Sequence, residues 1–353
     1  MIPQKQCVIH MNHSPSTAPA HAPPGPSDHP GRIRVLSAAD VYRYLPVADC
    51  IDALEYAFSN AEGVQSFVGG AVAPAGTFHI KAALADSPIG QYFAAKLNGN
   101  FPRNRERHGL PTIQGLLLLS SAFDGRPLAI MDSGSLTVVR TAAATGVVAR
   151  YAAPPAARRC AIIGCGAQAL AQLGALRAVR HIEFVSAFDV DAGALDAFAA
   201  AAGQQAGLTV EAAQSVEQCV RDADVIVTCT TARQPFLEVS HVRPGTFVAA
   251  VGADNRGKNE IAPALMARAT VVVDDVQQCA EIGDLHHALV AGVMTRADVW
   301  GTVADVVRHK HVPPGRVTVF DSTGVPLEDV VVAAAVYGRA VADGSGASIT
   351  LGS

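Results

Sequence analysis

One stretch of the chain shows a sharp change in its hydrophobic pattern. The apolar residues Cys160–Ile163 follow two arginines and precede a glycine, as in a short strand buried on both faces of a sheet. Further on, Leu170, Leu173 and Leu176 recur every third residue and form one apolar face of a helix. The pattern therefore predicts a strand, a glycine-containing turn and a helix, in that order.

Short apolar runs recur after this unit, and helical patterns separate them. Strands that alternate with helices pack as a parallel sheet with helices on both faces. This predicts an α/β fold with a Rossmann-type doubly wound parallel sheet. The strands predicted after the first one are Ile182–Phe188, Leu208–Glu211, Asp224–Thr228, Thr246–Val251, Thr270–Asp274 and Arg316–Phe320.

The chain before Cys160 has a different pattern, typical of a second sheet with a few helices. Ser37 and Asp40 fit a capping box, and Val47–Ala61 has apolar residues at helical spacing. A long helix is predicted over Ser133–Ala152, and an apolar helix over Pro326–Ala342 is predicted to return to this part of the chain. Strands are predicted over Ile33–Leu36, Thr77–Leu84, Tyr92–Asn98 and Gln114–Ser120.

The predicted turn after the first buried strand has the residues of a dinucleotide site. Gly164 and Gly166 lack side chains, so the backbone can approach a pyrophosphate and present amides from the helix N-terminus. Asp189 closes the next strand, where its carboxylate can accept both ribose hydroxyls, and no cation beside it suits a 2′-phosphate. NAD is therefore favoured over NADP. The alternatives are an ordinary tight turn for the glycines and a helix N-cap for Asp189.

Composition limits the class of protein. The 353 residues are 50% hydrophobic and 16% charged, which is enough for large buried cores. Lys and Arg number 27 against 31 Asp and Glu, without the basic run that would bind nucleic acid or an anionic membrane. The seven cysteines are scattered without metal-binding spacing, which favours free thiols, no metal site and a cytoplasmic location.

The N-terminal segment has neither a signal sequence nor a folding pattern. Its start lacks a basic-then-apolar signal, and no stretch of the chain approaches the roughly 20 apolar residues of a membrane span. Residues 11–31 are rich in Pro, His, Ser and Ala, so residues 1–31 are predicted to be a disordered leader. Its histidines could gather a metal, but solvated low-complexity sequence is the simpler interpretation.

Three charged residues lie in surroundings that suggest more than a solvated surface. Lys96 interrupts an apolar strand, so its ammonium needs either a structural ion pair or a substrate carboxylate. Arg140 lies among Ala and Val in the long helix, where it could bind a carboxylate or face solvent. Asp254 follows a buried strand at the edge where parallel sheets bind ligands, although a turn residue is the alternative.

Six ordered motifs span most of the chain: Lys96-Leu-Asn-Gly-Asn, Gly115 after Pro111-Thr-Ile-Gln, Arg140-Thr-Ala-Ala, Ile163-Gly-Cys-Gly-Ala-Gln, Gly252-Ala-Asp-Asn-Arg-Gly-Lys and Asp321-Ser-Thr-Gly. Together they resemble the ornithine cyclodeaminase/mu-crystallin family. The resemblance implies an α+β substrate-binding and dimerisation domain over residues 32–152 and 322–353. It also implies an NAD-binding Rossmann domain over residues 153–321, and a homodimer that takes a small amino or imino acid.

The resemblance also implies a role for each matching residue. Lys96 and Arg140 would bind the substrate carboxylate. Asp254 would be the acid/base, and Lys96 would be catalytic with it. The residues implied to bind the cofactor are Arg140, Thr141, Gly164, Gly166, Ala167, Gln168, Asp189, Thr228, Val251, Lys258 and Ser322.

One departure from the family pattern concerns substrate recognition. Members that act on ornithine carry an arginine ahead of the strand near residue 80, and here that stretch is Phe67-Val-Gly-Gly-Ala. Lys81 stands where the family often has methionine, and it is predicted to supply the missing cation. A solvent-facing strand lysine is the alternative.

The step implied by the resemblance is hydride transfer at the carbon of a C–N bond beside a carboxylate, with the protein supplying orientation and electrostatics. The favoured function is an NAD-dependent imine reductase or amino-acid dehydrogenase. Two alternatives remain open: an ornithine cyclodeaminase-type lyase that forms a cyclic amino acid and ammonia, and a non-catalytic nicotinamide-nucleotide binder like mu-crystallin. Retention of Lys96, Arg140 and Asp254 favours an enzyme.

Overall fold

A computed structural model describes residues 31–351, which form two sheets with helices packed around and between them. The predicted leader lies outside this range except for Gly31. The first sheet contains β1 (Arg32–Leu36), β2 (Gln65–Ala73), β3 (Gly76–Ser87), β4 (Gly90–Asn100), β5 (Ile113–Ser121), β6 (Pro127–Asp132) and β15 (Ala347–Thr350). The second contains β7 (Arg159–Ile163), β8 (Phe184–Phe188), β9 (Val210–Ala212), β10 (Val225–Thr228), β11 (Phe247–Ala250), β12 (Thr270–Val273), β13 (Gly301–Thr302) and β14 (Thr318–Asp321).

The two sheets have different topologies. The first has the order β15-β1-β6-β5-β4-β3-β2 and is antiparallel except where β1 meets β6. The second has the order β13-β12-β14-β11-β10-β7-β8-β9, and all its neighbouring strands are parallel. The α/β fold with a doubly wound parallel sheet is therefore confirmed. Its carboxyl edge lies beyond β7, β10, β11, β14 and β12, where such sheets bind ligands.

The helices include several that sequence periodicity alone identified. Two of them, α4 and α12, have the predicted bounds. The helices within the described range are α1 (Ala38–Tyr44), α2 (Val47–Ser59), α3 (Asn104–His108), α4 (Ser133–Ala152), α5 (Ala169–Val179), α6 (Ala192–Ala206), α7 (Val216–Val220), α8 (Pro263–Met266), α9 (Val276–Ile282), α10 (Asp284–Val290), α11 (Val303–His309) and α12 (Pro326–Ala342).

Helices α4 and α12 join the two sheets into one packed body. α4 packs on α2, α5 and α12, and α12 packs across β3 and β4 of the first sheet. Buried side chains from both sheets belong to one continuous apolar cluster, which includes Leu117, Met131, Val147, Ile162 and Phe320. Because α12 packs on β3 and β4, its predicted return to the first part of the chain is confirmed. The division into two separate domains stays a prediction.

Some predicted bounds were wrong at the ends of elements. The capping box of Ser37 and Asp40 is present, but the helix predicted to end at Ala61 ends at Ser59, because the Asn60 backbone already caps it. The strand predicted from Ile182 begins at Phe184, after a turn in which Ile182 N donates to Arg180 O. Strands β2, β6, β13 and β15 were not predicted.

One face of the first sheet exposes a patch of apolar side chains. Ile80, Leu97 and Leu116 lie side by side in the register of β3, β4 and β5, and Leu116 is 59% exposed. Phe67 and Leu118 extend this patch in the next row of the register, where Phe67 pairs with Ala82 and Leu118 pairs with Ala95. Contiguous exposed apolar surface of this kind marks an interaction site. The opposite face carries Lys81 and Lys96 and is covered in part by α12.

Candidate functional site

The turn after β7 has the geometry that its glycines predicted. Gly164 has a φ of +94°, and a Cβ there would lie 2.8 Å from the Cys229 carbonyl oxygen. Close packing and a left-handed backbone conformation therefore both require glycine at this position. A Cβ on Gly166 would instead meet nothing within 4 Å. Gly166 is thus free of packing constraints inside the protein, and its surface is open to a ligand beside the N-terminus of α5.

Asp189 lies directly beside this turn at the end of β8. Its carboxylate accepts hydrogen bonds from Cys165 N at 2.6 Å and from Asp191 N at 2.9 Å. The alternative of a helix N-cap for Asp189 is wrong, because Asp191 caps α6 by accepting from Gly193 N and Ala194 N. The Asp189 carboxylate therefore joins the end of β8 to the glycine turn after β7.

Other residues implied to bind the cofactor follow β7, β11 and β14 at the same edge of the parallel sheet: Ala167, Gln168, Val251 and Ser322. Ala167 is exposed, while Thr141 and Val251 are buried. Gln168 Oε1 and the buried Ser322 Oγ have no hydrogen-bond partner in the described part of the chain. Such atoms suit a polar ligand, because an unpaired buried polar atom is costly.

The predicted substrate cations form a buried ion network. Lys96 Nζ lies 2.7 Å from Asp329 Oδ1, and Arg140 bonds Glu328 Oε2 at 2.8 Å while its Nε lies 3.4 Å from Asp329. Lys96 is 4% exposed and Arg140 is 6% exposed, so the alternative of a surface arginine is wrong. Glu328 Oε1 and Asp329 Oδ2 have no partner among residues 31–351.

Burial and neighbouring charges shift the pKa values of this network. Burial lowers the pKa of Lys96 to about 8, against the opposing charge of Asp329. Burial raises the pKa of Glu328 to about 7, although the Arg140 charge opposes the shift. Burial would also raise the pKa of Asp329, but the charges of Lys96 and Arg140 outweigh it and hold that pKa below its usual value.

Lys81 points into the same region and not to open solvent. It stands opposite Lys96 in the register of β3 and β4. Its Nζ donates to Thr323 O at 3.1 Å and to Gly324 O at 2.6 Å. Burial and the charge of Arg140 lower the pKa of Lys81. Unlike Lys96 and Arg140, it forms no ion pair with a carboxylate of the described residues.

The Thr323–Gly324 loop, which follows β14, brings the two sheets together at this site. The buried carboxylate of Asp274 accepts from Thr323 N at 2.6 Å and from Gly324 N. Gly324 has a φ of +75°, and a Cβ there would lie 2.3 Å from an Arg140 nitrogen. Glycine is thus required where the loop crosses the guanidinium, and the loop carbonyls are held in place to accept from Lys81.

Asp254 lies apart from these cations. Its side chain is 44% exposed and forms an ion pair of 2.7 Å with Lys258, and Asn255 Nδ2 donates to it at 3.0 Å. No hydrogen bond or ion pair between described residues joins Asp254 to Lys81, Lys96 or Arg140. The structure thus groups the predicted residues into a dinucleotide turn, a cation network and the separate Asp254–Lys258 pair.

Buried carboxylates at the carboxyl edge were missed by sequence reasoning. Asp321 accepts from Asp284 N and Leu285 N, which makes it a cap for α10 from another part of the chain. Burial raises the pKa of Asp321 to about 7 and also raises that of Glu260. A carboxylate directly after an apolar strand was the available signal for Asp274, as it was for Asp321, which the sequence had indicated as a capping residue. The carboxylates missed as partners in the site are Glu260, Asp274, Asp284, Glu328 and Asp329.

Known proteins resemble this chain in sequence and in fold. Residues 33–344 match the model of the ornithine cyclodeaminase/mu-crystallin family, and the chain belongs to that family. An alanine dehydrogenase from Archaeoglobus fulgidus is 36% identical over 262 residues, 73% of this chain and 80% of the relative. An iminosuccinate reductase from Paracoccus denitrificans is 38% identical over 245 residues, 68% of this chain and 75% of the relative.

Solved structures agree with this assignment. An archaeal alanine dehydrogenase dimer with bound NAD superposes with a TM-score of 0.85 at 32% identity, covering 91% of this chain and 100% of the other. The Paracoccus denitrificans iminosuccinate reductase in complex with NAD+ gives 0.82 at 30% identity, with 91% and 100% covered. A Thermococcus litoralis Δ(1)-pyrroline-2-carboxylate reductase with NADH and L-proline gives 0.84 at 25% identity, covering 89% and 99%.

The two turn glycines should respond differently to substitution. Gly164→Ala should lower the free energy of unfolding by about 2 kcal/mol, because it adds a side chain to a strained conformation against a carbonyl. Gly166→Ala should leave stability within about 0.5 kcal/mol but weaken dinucleotide binding at least about tenfold, because its Cβ projects where a ligand would lie. Thermal denaturation and NADH titration measure the two effects. A Gly166→Ala protein with full NADH affinity would contradict this assignment.

Proposed function

We propose that the protein is an NAD-dependent oxidoreductase that acts on the C–N bond of a small α-amino or α-imino acid. One observation carries the proposal. Lys81 on the first sheet, which has no carboxylate partner among residues 31–351, donates to the Thr323–Gly324 loop, and this loop lies at the same edge of the parallel sheet as the glycine turn after β7. The loop lies at the carboxyl edge of the parallel sheet, where the nicotinamide end of a dinucleotide would meet a substrate.

The cofactor side of the site fits NAD. The open surface at Gly166 suits the pyrophosphate, Asp189 suits the adenosine ribose, and the unpaired oxygens of Gln168 and Ser322 suit polar groups along the dinucleotide. When bound, NADH supplies a hydride. Arg140, Thr141, Ala167, Thr228, Val251 and Lys258 complete the proposed cofactor site.

The substrate side of the site fits a carboxylate beside a C–N bond. Lys81 offers a positive charge that has no carboxylate partner among residues 31–351, and Lys96 and Arg140 lie next to it with their charges shared by Glu328 and Asp329. Cations held in a water-poor site orient an anionic substrate and stabilise its binding. Asp254, on the loop after β11, is proposed to protonate the imine nitrogen, or to accept its proton in the reverse direction.

A cytoplasmic location is part of this proposal. It fits a redox enzyme whose described cysteines are all free thiols. Within residues 31–351, no helix combines the length and apolar character needed to cross a membrane.

The experiment that tests the function is NADH oxidation with a panel of substrates. Pyruvate plus ammonia, oxaloacetate plus ammonia and a cyclic 2-imino acid are each offered at pH 7 to 9. Turnover of any of them with stoichiometric loss of NADH supports the proposal. Release of ammonia from ornithine without net loss of NADH indicates the cyclodeaminase alternative. NADH binding without turnover of any substrate indicates a non-catalytic binder.

The first prediction concerns the choice of cofactor. NADH should bind at least about tenfold more tightly than NADPH, because the Asp189 carboxylate would repel a 2′-phosphate. Asp189→Asn should shrink this preference. The neighbouring Asp191→Asn, which removes a nearby negative charge but keeps an oxygen to cap α6, should keep this preference. Fluorescence titration gives the Kd of each of the three proteins for NADH and for NADPH. Equal affinity of the native protein for the two cofactors would contradict the role of Asp189.

The role of Lys81 predicts a second effect. Lys81→Met should raise KM for the imino acid roughly 10- to 150-fold, which corresponds to about 1.5–3 kcal/mol for a charge-assisted hydrogen bond. Gln278→Leu is the matched control, because Gln278 also donates to Gly324 O and Thr323 Oγ1 but carries no charge. In steady-state kinetics, KM for the imino acid should change much less in Gln278→Leu than in Lys81→Met. Equal effects of the two variants would mean that Lys81 only anchors the loop.

Asp254→Asn tests the proposed proton transfer. General acid–base assistance contributes typically 10²- to 10⁴-fold, so kcat should fall by about that factor while NADH affinity stays nearly unchanged. Stopped-flow kinetics and NADH titration separate chemistry from binding. Near-normal turnover across the pH range would move the proton donor elsewhere in the site, with Lys96 and its lowered pKa the next candidate.

We further propose a homodimer through the exposed apolar patch of the first sheet, defined by Phe67, Ile80, Leu97, Leu116 and Leu118. Leu116→Asp should give a monomer in light scattering at micromolar concentration, because a charge would be buried at the centre of the interface. Phe123→Asp is the control, since Phe123 is 85% exposed in the turn between β5 and β6 and not part of the patch. A native protein that is already monomeric would refute the dimer.

A further inference from the structure

Glu260 is a buried carboxylate to which the proposed chemistry assigns no role. Its side chain is fully buried, two residues after Lys258. Oε2 accepts from Thr228 Oγ1 at 2.7 Å and from Gly252 N at 2.9 Å. Oε1 accepts from Thr230 N at 2.6 Å and from Thr230 Oγ1 at 2.7 Å. One carboxylate therefore holds four donors that belong to two neighbouring strand ends.

These donors lie at the edge of the sheet that the dinucleotide would contact. Thr228 is the last residue of β10. Gly252 lies two residues after the end of β11 and two residues before Asp254. The approach is tight, because a Cβ on Gly252 would lie 2.4 Å from Glu260 Oε1. The contact with Glu260 therefore explains why residue 252 is a glycine. The same carboxylate fixes the position of Gly252, where the loop that carries Asp254 begins.

Glu260 is itself held from behind by a second carboxylate. Asp284 Oδ1 accepts from Glu260 N at 2.7 Å and from Ile261 N at 3.0 Å. Asp321 in turn accepts from Asp284 N at 3.2 Å. Because these groups are buried and paired with backbone donors, the Glu260 side chain has a defined position from which to align the two strand ends.

We propose that Glu260 is a positioning residue for cofactor binding and proton transfer, acting through Thr228 and through the Gly252–Asp254 loop. The inference rests on the proposed function, because it assigns Glu260 to the same site. Glu260 would touch neither cofactor nor substrate. Its carboxylate would set the distance between the β10 end, where the dinucleotide binds, and the loop that carries the acid/base.

Glu260→Gln tests the proposal with little change in size. A glutamine places an amide N–H₂ donor against groups that are themselves donors, so at least one strand end must shift. The Kd for NADH should rise about tenfold, and kcat should fall about 10- to 100-fold, since small displacements at a reaction centre have effects of that order. KM for the imino acid should change less than about twofold, because Lys81, Lys96 and Arg140 do not contact Glu260.

Glu55→Gln is the matched control, because the Glu55 carboxylate accepts from Arg150 and Tyr151 in the other half of the chain. It should lower the melting temperature without changing Kd or kcat. Thr230→Val is a second variant that removes one donor to Glu260, the Thr230 hydroxyl, while keeping the carboxylate and the backbone N–H of residue 230, and it should give a smaller loss of NADH affinity. This variant keeps the test decisive if Glu260→Gln does not fold.

A double-mutant cycle with Thr228→Val checks the route of the effect. If Glu260 acts through Thr228, Glu260→Gln should add little to the rise in Kd that Thr228→Val already causes. Fully additive changes would overturn the inference, and so would a folded Glu260→Gln protein with native Kd and kcat. A native protein that binds no NADH would instead refute the proposed function, which distinguishes the two failures.

Discussion

The structure depends on a buried ion network in which Lys96 and Arg140 face Glu328 and Asp329. These four residues come from β4, α4 and α12, which are far apart in the sequence. Charges this deeply buried cost several kcal/mol each unless they are paired with good geometry. The pairing therefore fixes where α12 crosses the first sheet and where α4 lies between the sheets. The same fixed positions place Lys81, which pairs with no carboxylate in the described part of the chain, at the proposed substrate site.

The carboxyl edge of the parallel sheet is organised by a related principle. Buried carboxylates there accept hydrogen bonds from backbone N–H groups of the loops. Asp274 accepts from Thr323 N and Gly324 N, and Glu260 accepts from Thr230 N and Gly252 N. A loop fixed by such bonds changes little when a ligand arrives, so the site is preorganised. Hydride transfer requires such a preorganised site, because the protein contributes mainly the positions of cofactor and substrate and the electrostatics around them.

Much of this arrangement could be predicted from local pattern. Apolar runs located most strands of the second sheet, and periodicity gave the bounds of α4 and α12. β2 escaped prediction because both its faces are largely exposed and Gly69-Gly70 interrupts it. Glu328 and Asp329 were missed for a different reason. Acids in the first turn of a helix are common because they favour the helix dipole, so only the three-dimensional pairing with Lys96 and Arg140 distinguishes them.

Hydride transfer from NADH to the carbon of a C–N bond is tested most directly by following deuterium from the cofactor into the product. NADH carrying deuterium at C4, prepared in each of its two stereochemical forms, is oxidised with the imino acid that the substrate panel identifies. One of the two forms should give an amino acid with a single deuterium on its α-carbon, detected by mass spectrometry and proton NMR. An amino acid without deuterium from either form would contradict hydride transfer to this carbon.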